Sequence, residues 1–222
     1  MTLYIFPNLL GPGDHREFLP PAVDRAVESL DGLIAESVAG GRRFLKHFQT
    51  KKKPHEMPIA LLKEKVDFLL DPVKKGELWG IVTDAGLPCL ADPGSLIVRR
   101  ANKLKIKVHA FAGPCSITMA LMLSGIYAQN FNFHGYLAKE PKNRDIQLLE
   151  IEQSKVTTIF IETPYRNHHT FESCLKNLNE KTLLTIAVDL TLPTQMVLTQ
   201  SVKQWRLDKY TIEKRPTIFI IS

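Results

Sequence analysis

The chain has 222 residues, 44% of them hydrophobic and 23% charged, and carries a formal net charge of +6. That balance excludes a disordered chain and leaves room for one large domain or two small ones without disulfide staples. No stretch approaches roughly 18 uninterrupted apolar residues, so no membrane-spanning helix is expected.

The opening Met1–Phe6 lacks a basic region and soon meets Pro7 and the turn Gly11-Pro12-Gly13-Asp14, so no signal peptide is expected. Three cysteines, Cys89, Cys115 and Cys174, are widely spaced. An odd, scattered set fits a reducing, cytoplasmic setting rather than a disulfide framework, and neither the cysteines nor the seven histidines have metal-site spacing. No metal is expected. The positive charge is consistent with a polyanionic partner, and a local cluster sharpens that: Arg42, Arg43, Lys46, Lys51, Lys52 and Lys53 lie close together around His47. Lys139, Lys142 and Arg144 form a second, smaller cluster.

In chain order, Leu3–Phe6 reads as a short buried strand and Pro20-Pro21 opens a helix running to Leu30. Leu33–Ala35 is a short apolar run, followed by a basic helix from Gly41 to Phe48. Pro58–Leu70 reads as one amphipathic helix, and Leu78–Val82 as a strand. Ser95 is placed to cap a helix over Leu96–Leu104, with a strand over Val108–Phe111. Ser116 is placed to cap Ile117–Leu123. Strands are expected at Phe131–Tyr136, Thr157–Ile161, Leu183–Leu190, Val197–Ser201 and Thr217–Ile221, and helices at Asn143–Gln153 and His168–Leu178. Strands alternating with helices imply an α/β architecture with largely parallel sheets. The break at Ala112–Pro114 suggests an N-terminal domain over 1–112 and a C-terminal one over 113–222, with a ligand cleft between them.

Gly/Pro-rich turns follow four of these strands. They are Phe6-Pro7-Asn8, the loop "TDAGLPCLADPG" over 83–94, Gly113-Pro114-Cys115-Ser116, and Glu162-Thr163-Pro164-Tyr165-Arg166. In open α/β sheets ligands bind beyond the carboxyl ends of the strands, where such turns sit. The loop at 83–94 has neither the G-x-G-x-x-G spacing nor a P-loop lysine. Its aspartates either cap its own backbone or accept from a ligand. Glu162 and Arg166 either pair with each other or take part in chemistry.

Taken together, "LYIFPNLLGP", "AESVAGGRRFLKHF", "DAGLPCLADPG", "AGPCSI" and "IETPYR" resemble, in order, the motifs of the tetrapyrrole methylase superfamily. These are the class III S-adenosylmethionine-dependent methyltransferases, and the nearest branch is that of the 16S ribosomal RNA 2′-O-ribose cytidine methyltransferases. The resemblance implies two small α/β domains with largely parallel mixed sheets, S-adenosyl-L-methionine in the cleft between them, and a homodimer. It assigns the cofactor to Pro7, Asp84, Gly86, Leu87, Pro88, Leu90, Asp92, Gly113, Pro114, Cys115 and Ser116. Glu36, Glu162 and Arg166 are the candidates for catalysis or for holding the acceptor. Arg42, Arg43, Lys46, Lys51, Lys52 and Lys53 are the candidates for contacting ribosomal RNA or the small ribosomal subunit. The sequence departs from the family at Ser37, where an aspartate is usual, at Val38-Ala39, and in "AVDLTLPT" over 187–194. A tetrapyrrole or other small-molecule methylase, and a non-catalytic RNA-binding member of the fold, are the alternatives.

Overall fold

The computed structural model describes residues 1–222, which divide into two units, Met1–Cys115 and Ser116–Ser222. In the first unit, β1 (Thr2–Ile5), β2 (Gly32–Ala35), β3 (Ile59–Leu61), β4 (Trp79–Val82) and β5 (Lys107–Ala110) form one sheet in the order β3-β2-β4-β1-β5. Every pairing in it is parallel. The inner strands β2 and β4 are buried at all four positions, which is why they read as continuous apolar runs rather than alternating ones. Successive side chains still point to opposite faces. Leu33 and Phe6 join a core with α1 (Pro21–Glu28) and α2 (Val38–Leu45), whereas Ile34 and Leu3 join another with α3 (Val66–Lys74) and α4 (Ser95–Lys103). The unit is therefore doubly wound. The connection from β1 leads past β4 to β2, and that from β4 leads past β1 to β5, so the two leave adjacent strands in opposite directions. That reversal marks the carboxyl ends of β1 and β4 as the place where a ligand crevice is expected.

The second unit holds α5 (Ser116–Ser124), β6 (Phe131–Tyr136), α6 (Pro141–Ser154), β7 (Thr157–Glu162), α7 (Asn167–Asn177), β8 (Leu183–Val188), β9 (Met196–Ser201), α8 (Val202–Asp208) and β10 (Thr217–Ile221). Its strand order is β6-β7-β10-β8-β9. Only β6 and β7 pair in parallel; β10 is antiparallel to both its neighbours, and β9 to β8. A largely parallel sheet is thus found in the first unit only. No helix separates β8 from β9, so that connection makes a hairpin instead of a crossover. α6, α7 and α8 share one core through Leu148, Phe171, Cys174 and Trp205, the last fully buried with its indole N–H donated to the Leu184 carbonyl at 2.8 Å.

Several local expectations change. Pro58–Leu70 is not one helix: Ile59–Leu61 is an edge strand on β2, and the chain turns through Glu64, whose Oε1 accepts from the Leu61 amide at 2.7 Å, before α3 begins. α2 starts earlier than expected because Ser37 caps it, its Oγ accepting from the Gly40 amide at 2.9 Å. Ser95 does not cap α4. The cap is Gly94, at φ 126°, a backbone conformation that favours glycine. The basic segment after β9 contains α8, whose signal is Ser201 followed three residues later by Gln204: Ser201 Oγ accepts from the Gln204 amide at 3.2 Å. No helix is long and apolar enough to cross a membrane.

Candidate functional site

Four strand ends of the first unit converge. Beyond β1, buried Asn8 bridges to the loop after β4. Its amide donates to the Gly86 carbonyl at 2.8 Å, and its Nδ2 donates to the carbonyls of Thr83 at 2.8 Å and Asp84 at 3.2 Å. Beyond β2, Glu36 Oε2 accepts from the Asp84 amide at 3.1 Å, and Ser37 Oγ donates to Asp84 Oδ1 at 3.0 Å. Ser37 therefore caps α2 and fixes Asp84 at once, which is what stands here in place of the family's aspartate. Gly40 makes this fit: a Cβ there would fall 1.7 Å from Asp84 Oδ1. Beyond β5, Gly113 lies so close to Pro7 that a Cβ would come 2.1 Å from the proline Cβ.

The 83–94 loop is held in an unusual path. Gly86 has φ 69°, and two residues with side chains, Cys89 at 69° and Ala91 at 62°, are also left-handed. Conformations of that kind cost about 1–3 kcal/mol each and persist only where the surroundings enforce them. The Cys89 amide donates to the Pro93 carbonyl at 3.2 Å, closing the loop on itself. The Cys89 thiol is pushed up by burial and by Asp92, so it is not a nucleophile poised as a thiolate.

Asp92 sits in an acidic cluster. Burial first, then the charges of Glu36 and Asp84, raise its carboxyl above the usual range, against an opposing hydrogen bond from Thr83. Arg43 is the nearest cation, 4.0 Å from Asp84 Oδ1. Three carboxylates at one crevice suit a ligand that brings hydroxyl and ammonium donors. Because the folded pKa of Asp92 is raised, its protonated form favours folding; that advantage shrinks as pH rises from the ordinary carboxylate range through the raised value. Asp92→Asn is expected to raise the melting temperature at neutral pH, and the gain should vanish below the ordinary carboxylate range. An Asn variant no more stable than the parent at pH 7 would mean the carboxylate is already satisfied.

Glu162 and Arg166 lie in the second unit, at the end of β7. The Glu162 side chain is fully buried: Oε1 accepts from the Thr163 amide at 2.7 Å, and Oε2 from Thr170 Oγ1 at 2.9 Å and Arg166 Nη2 at 2.8 Å. Arg166 Nη2 also donates to the Leu137 carbonyl at 3.0 Å. Both oxygens of Glu162 are taken, whereas Glu36 is exposed and has Oε1 available. Among the basic residues, Arg42 donates to the Pro54 carbonyl at 2.5 Å and Lys51 pairs with Asp31 at 3.3 Å. Arg43, Lys46, Lys52 and Lys53 are exposed. Arg144 does not extend the second basic cluster; it is buried and its Nε donates to Ser173 at 3.0 Å. Two participants escape sequence reasoning. Asn8 had only its place after a strand-ending proline as a signal, and Thr83 had none beyond being next to Asp84.

A doubly wound unit with three carboxylates gathered near its switch point, followed by a mixed-sheet unit, defines a two-unit α/β protein. The sequence matches the family described as Tetrapyrrole (Corrin/Porphyrin) Methylases over residues 10–205, and the chain belongs to that family. It is 30% identical over 189 residues to the Vibrio cholerae protein named Ribosomal RNA small subunit methyltransferase I, covering 85% of this chain and 65% of the relative. The Haemophilus influenzae protein of the same name is 28% identical, with 92% of this chain and 74% of the relative covered. The chain thus spans just under two thirds of the length of the first of these relatives. Among solved structures it resembles a uroporphyrin-III-C-methyltransferase from Thermus thermophilus, with TM-score 0.63 and 14% identity, covering 100% of this chain and 94% of that one. It also resembles a diphthine synthase, with TM-score 0.67 and 14% identity, covering 99% and 88%. At such identity these two establish the fold alone.

Proposed function

We propose that the protein is an S-adenosyl-L-methionine-dependent methyltransferase acting on ribosomal RNA of the small subunit, at the 2′-O-ribose of a 16S cytidine or a related site. The observation that carries this reading is the hydrogen-bonded cluster of Asn8, Glu36, Ser37, Asp84 and Gly86 at the β1/β4 switch point in a chain of the methylase family. The names of its relatives support the RNA substrate. The reading carries a cytoplasmic location and a homodimer with it.

The residues fit such a cofactor. Gly113 packs directly on Pro7 and Gly86 takes a φ of 69°, Leu87 and Leu90 supply accessible apolar surface beside buried Pro7 and Pro88, and Asp84 and Asp92 supply acceptors for hydroxyl and amino donors. Pro114 and Cys115 continue the turn beyond Gly113, and Ser116 opens α5. When bound, S-adenosylmethionine supplies a methyl group on a sulfonium, already activated for displacement. The chain's own share is then to position the reactants and to receive a proton. Glu36 Oε1 is free to take a hydroxyl proton while Oε2 stays bonded to the Asp84 amide. Glu162 and Arg166 hold the β7 turn in shape. Arg43, Lys46, Lys52 and Lys53, with Arg42 and Lys51 bracing them, offer phosphate contacts that salt would weaken. Incubation with methyl-labelled cofactor and small subunits lacking the modification tests the reading, with mass spectrometry of the recovered RNA locating the label. Label in ribose supports it, and label confined to a small-molecule acceptor replaces it with the tetrapyrrole-type alternative.

A further inference from the structure

The carboxyl end of β7 carries an aromatic ring that neither the core nor the crevice of the first unit uses. Tyr165 is 80% exposed, at the turn between β7 and α7. An aromatic side chain this open gains nothing from burial, yet its backbone is clamped on both sides. Pro164 precedes it, and the amides of Arg166 and Asn167 donate to the Thr163 carbonyl at 2.9 and 3.2 Å. The Arg166 guanidinium is pinned by Glu162 and by the carbonyls of Leu137 and Ala138. The ring is therefore presented from a rigid base.

Its surroundings are cationic. Lys214 Nζ lies 6.0 Å above the Tyr165 ring centroid. The Ala138 carbonyl bonded by Arg166 brings exposed Lys139 to the same edge, and the β6–β7 register sets half-exposed Tyr136 opposite Ile161. Glu162 pairs with Arg166, and Asp189 and Glu213 with Arg215, while exposed Glu140 caps α6 through the Asn143 amide. No carboxylate pairs with Lys139 or Lys214, and the contact of Lys214 is with the Tyr165 ring itself. An exposed aromatic ring beside lysines that no carboxylate neutralises suits single-stranded nucleic acid, because every base has a π face and every nucleotide a phosphate.

We propose that Tyr165 is a nucleobase-stacking platform for a single-stranded segment of RNA, with Lys214 and Lys139 contacting the flanking phosphates. The inference rests on the RNA reading given above and adds a binding site in the second unit. The test uses the full chain and a fluorescein-labelled, unstructured oligoribonucleotide followed by anisotropy. Tyr165→Ala should weaken binding by roughly five- to a hundredfold, the range for loss of one stacked base, whereas Tyr165→Phe should keep it within about twofold. Lys214→Ala should lower the slope of log affinity against log salt by about 0.7, the value for one single-strand phosphate contact. Tyr165→Trp gives a direct reporter, since stacking quenches the new indole, while Trp205 and Trp79 are buried. Unchanged affinity in Tyr165→Ala, or an unquenched Trp at 165 with RNA bound, would overturn the platform and leave the methyltransferase reading standing. Failure of the parent protein to bind the oligonucleotide or small-subunit RNA at all would remove both the platform and the RNA substrate.

Discussion

Gly113→Ala is expected to lower methyl transfer about a hundredfold while leaving the chain folded. The added Cβ would lie 2.1 Å from Pro7 Cβ and 2.6 Å from its Cγ. A proline ring cannot rotate away as the end of a long side chain can, so either the β1 end or the turn after β5 must move. Overpacking of this kind costs about 1–3 kcal/mol of stability. Its larger effect is on function, because both displaced elements belong to the proposed cofactor crevice and a shift of about 1 Å costs roughly a hundredfold in rate. Gly13→Ala is the control: the nearest atom to its Cβ would be 3.8 Å away, and activity should not change. Cofactor affinity and turnover equal to the parent in Gly113→Ala would show that this turn is remote from the site.

Glu162→Ala is expected to destabilise the protein by about 3 kcal/mol, seen as a lower urea midpoint. Removing one member of a buried, hydrogen-bonded ion pair leaves the other charged group without compensation, and such losses run about 3–5 kcal/mol. The lower end applies because the Arg166 side chain is 21% exposed and can draw on solvent, while that of Glu162 is fully buried. The Thr163 amide and Thr170 hydroxyl lose their acceptor as well. A catalytic base would behave otherwise: Glu162→Gln would abolish turnover with the midpoint unchanged. The geometry predicts the first pattern, together with weaker RNA binding as Arg166 and the Tyr165 turn lose their anchor.

What could be read from the sequence was mostly local. Apolar runs located β2 and β4 because inner parallel strands are buried on both faces, and β1 showed as a short apolar run ended by Pro7, although only Leu3 of it is buried. The same reasoning misread Ile59–Leu61, a three-residue edge strand whose neighbours Leu62, Val66 and Leu69 complete a helical-looking spacing. The antiparallel half of the second sheet was hidden because β10, last in the chain, inserts between β7 and β8, a pairing that no neighbouring residue announces. In the site, the Glu162–Arg166 pair was legible, being four residues apart on one turn. Ser37–Asp84 and Asn8–Thr83 were not, since they join residues 47 and 75 positions apart and depend on strand order. The motif "DAGLPCLADPG" marked the loop correctly as unusual, yet only the structure shows Asp84 seated over the start of α2 by way of Ser37 and Gly40.

The strand-end residues of the first unit are proposed to hold S-adenosyl-L-methionine. Isothermal titration of the parent protein with that cofactor, repeated on Gly113→Ala, tests it most directly. Saturable binding by the parent, weakened in the variant, is the predicted result; no heat of binding by the folded parent would contradict it.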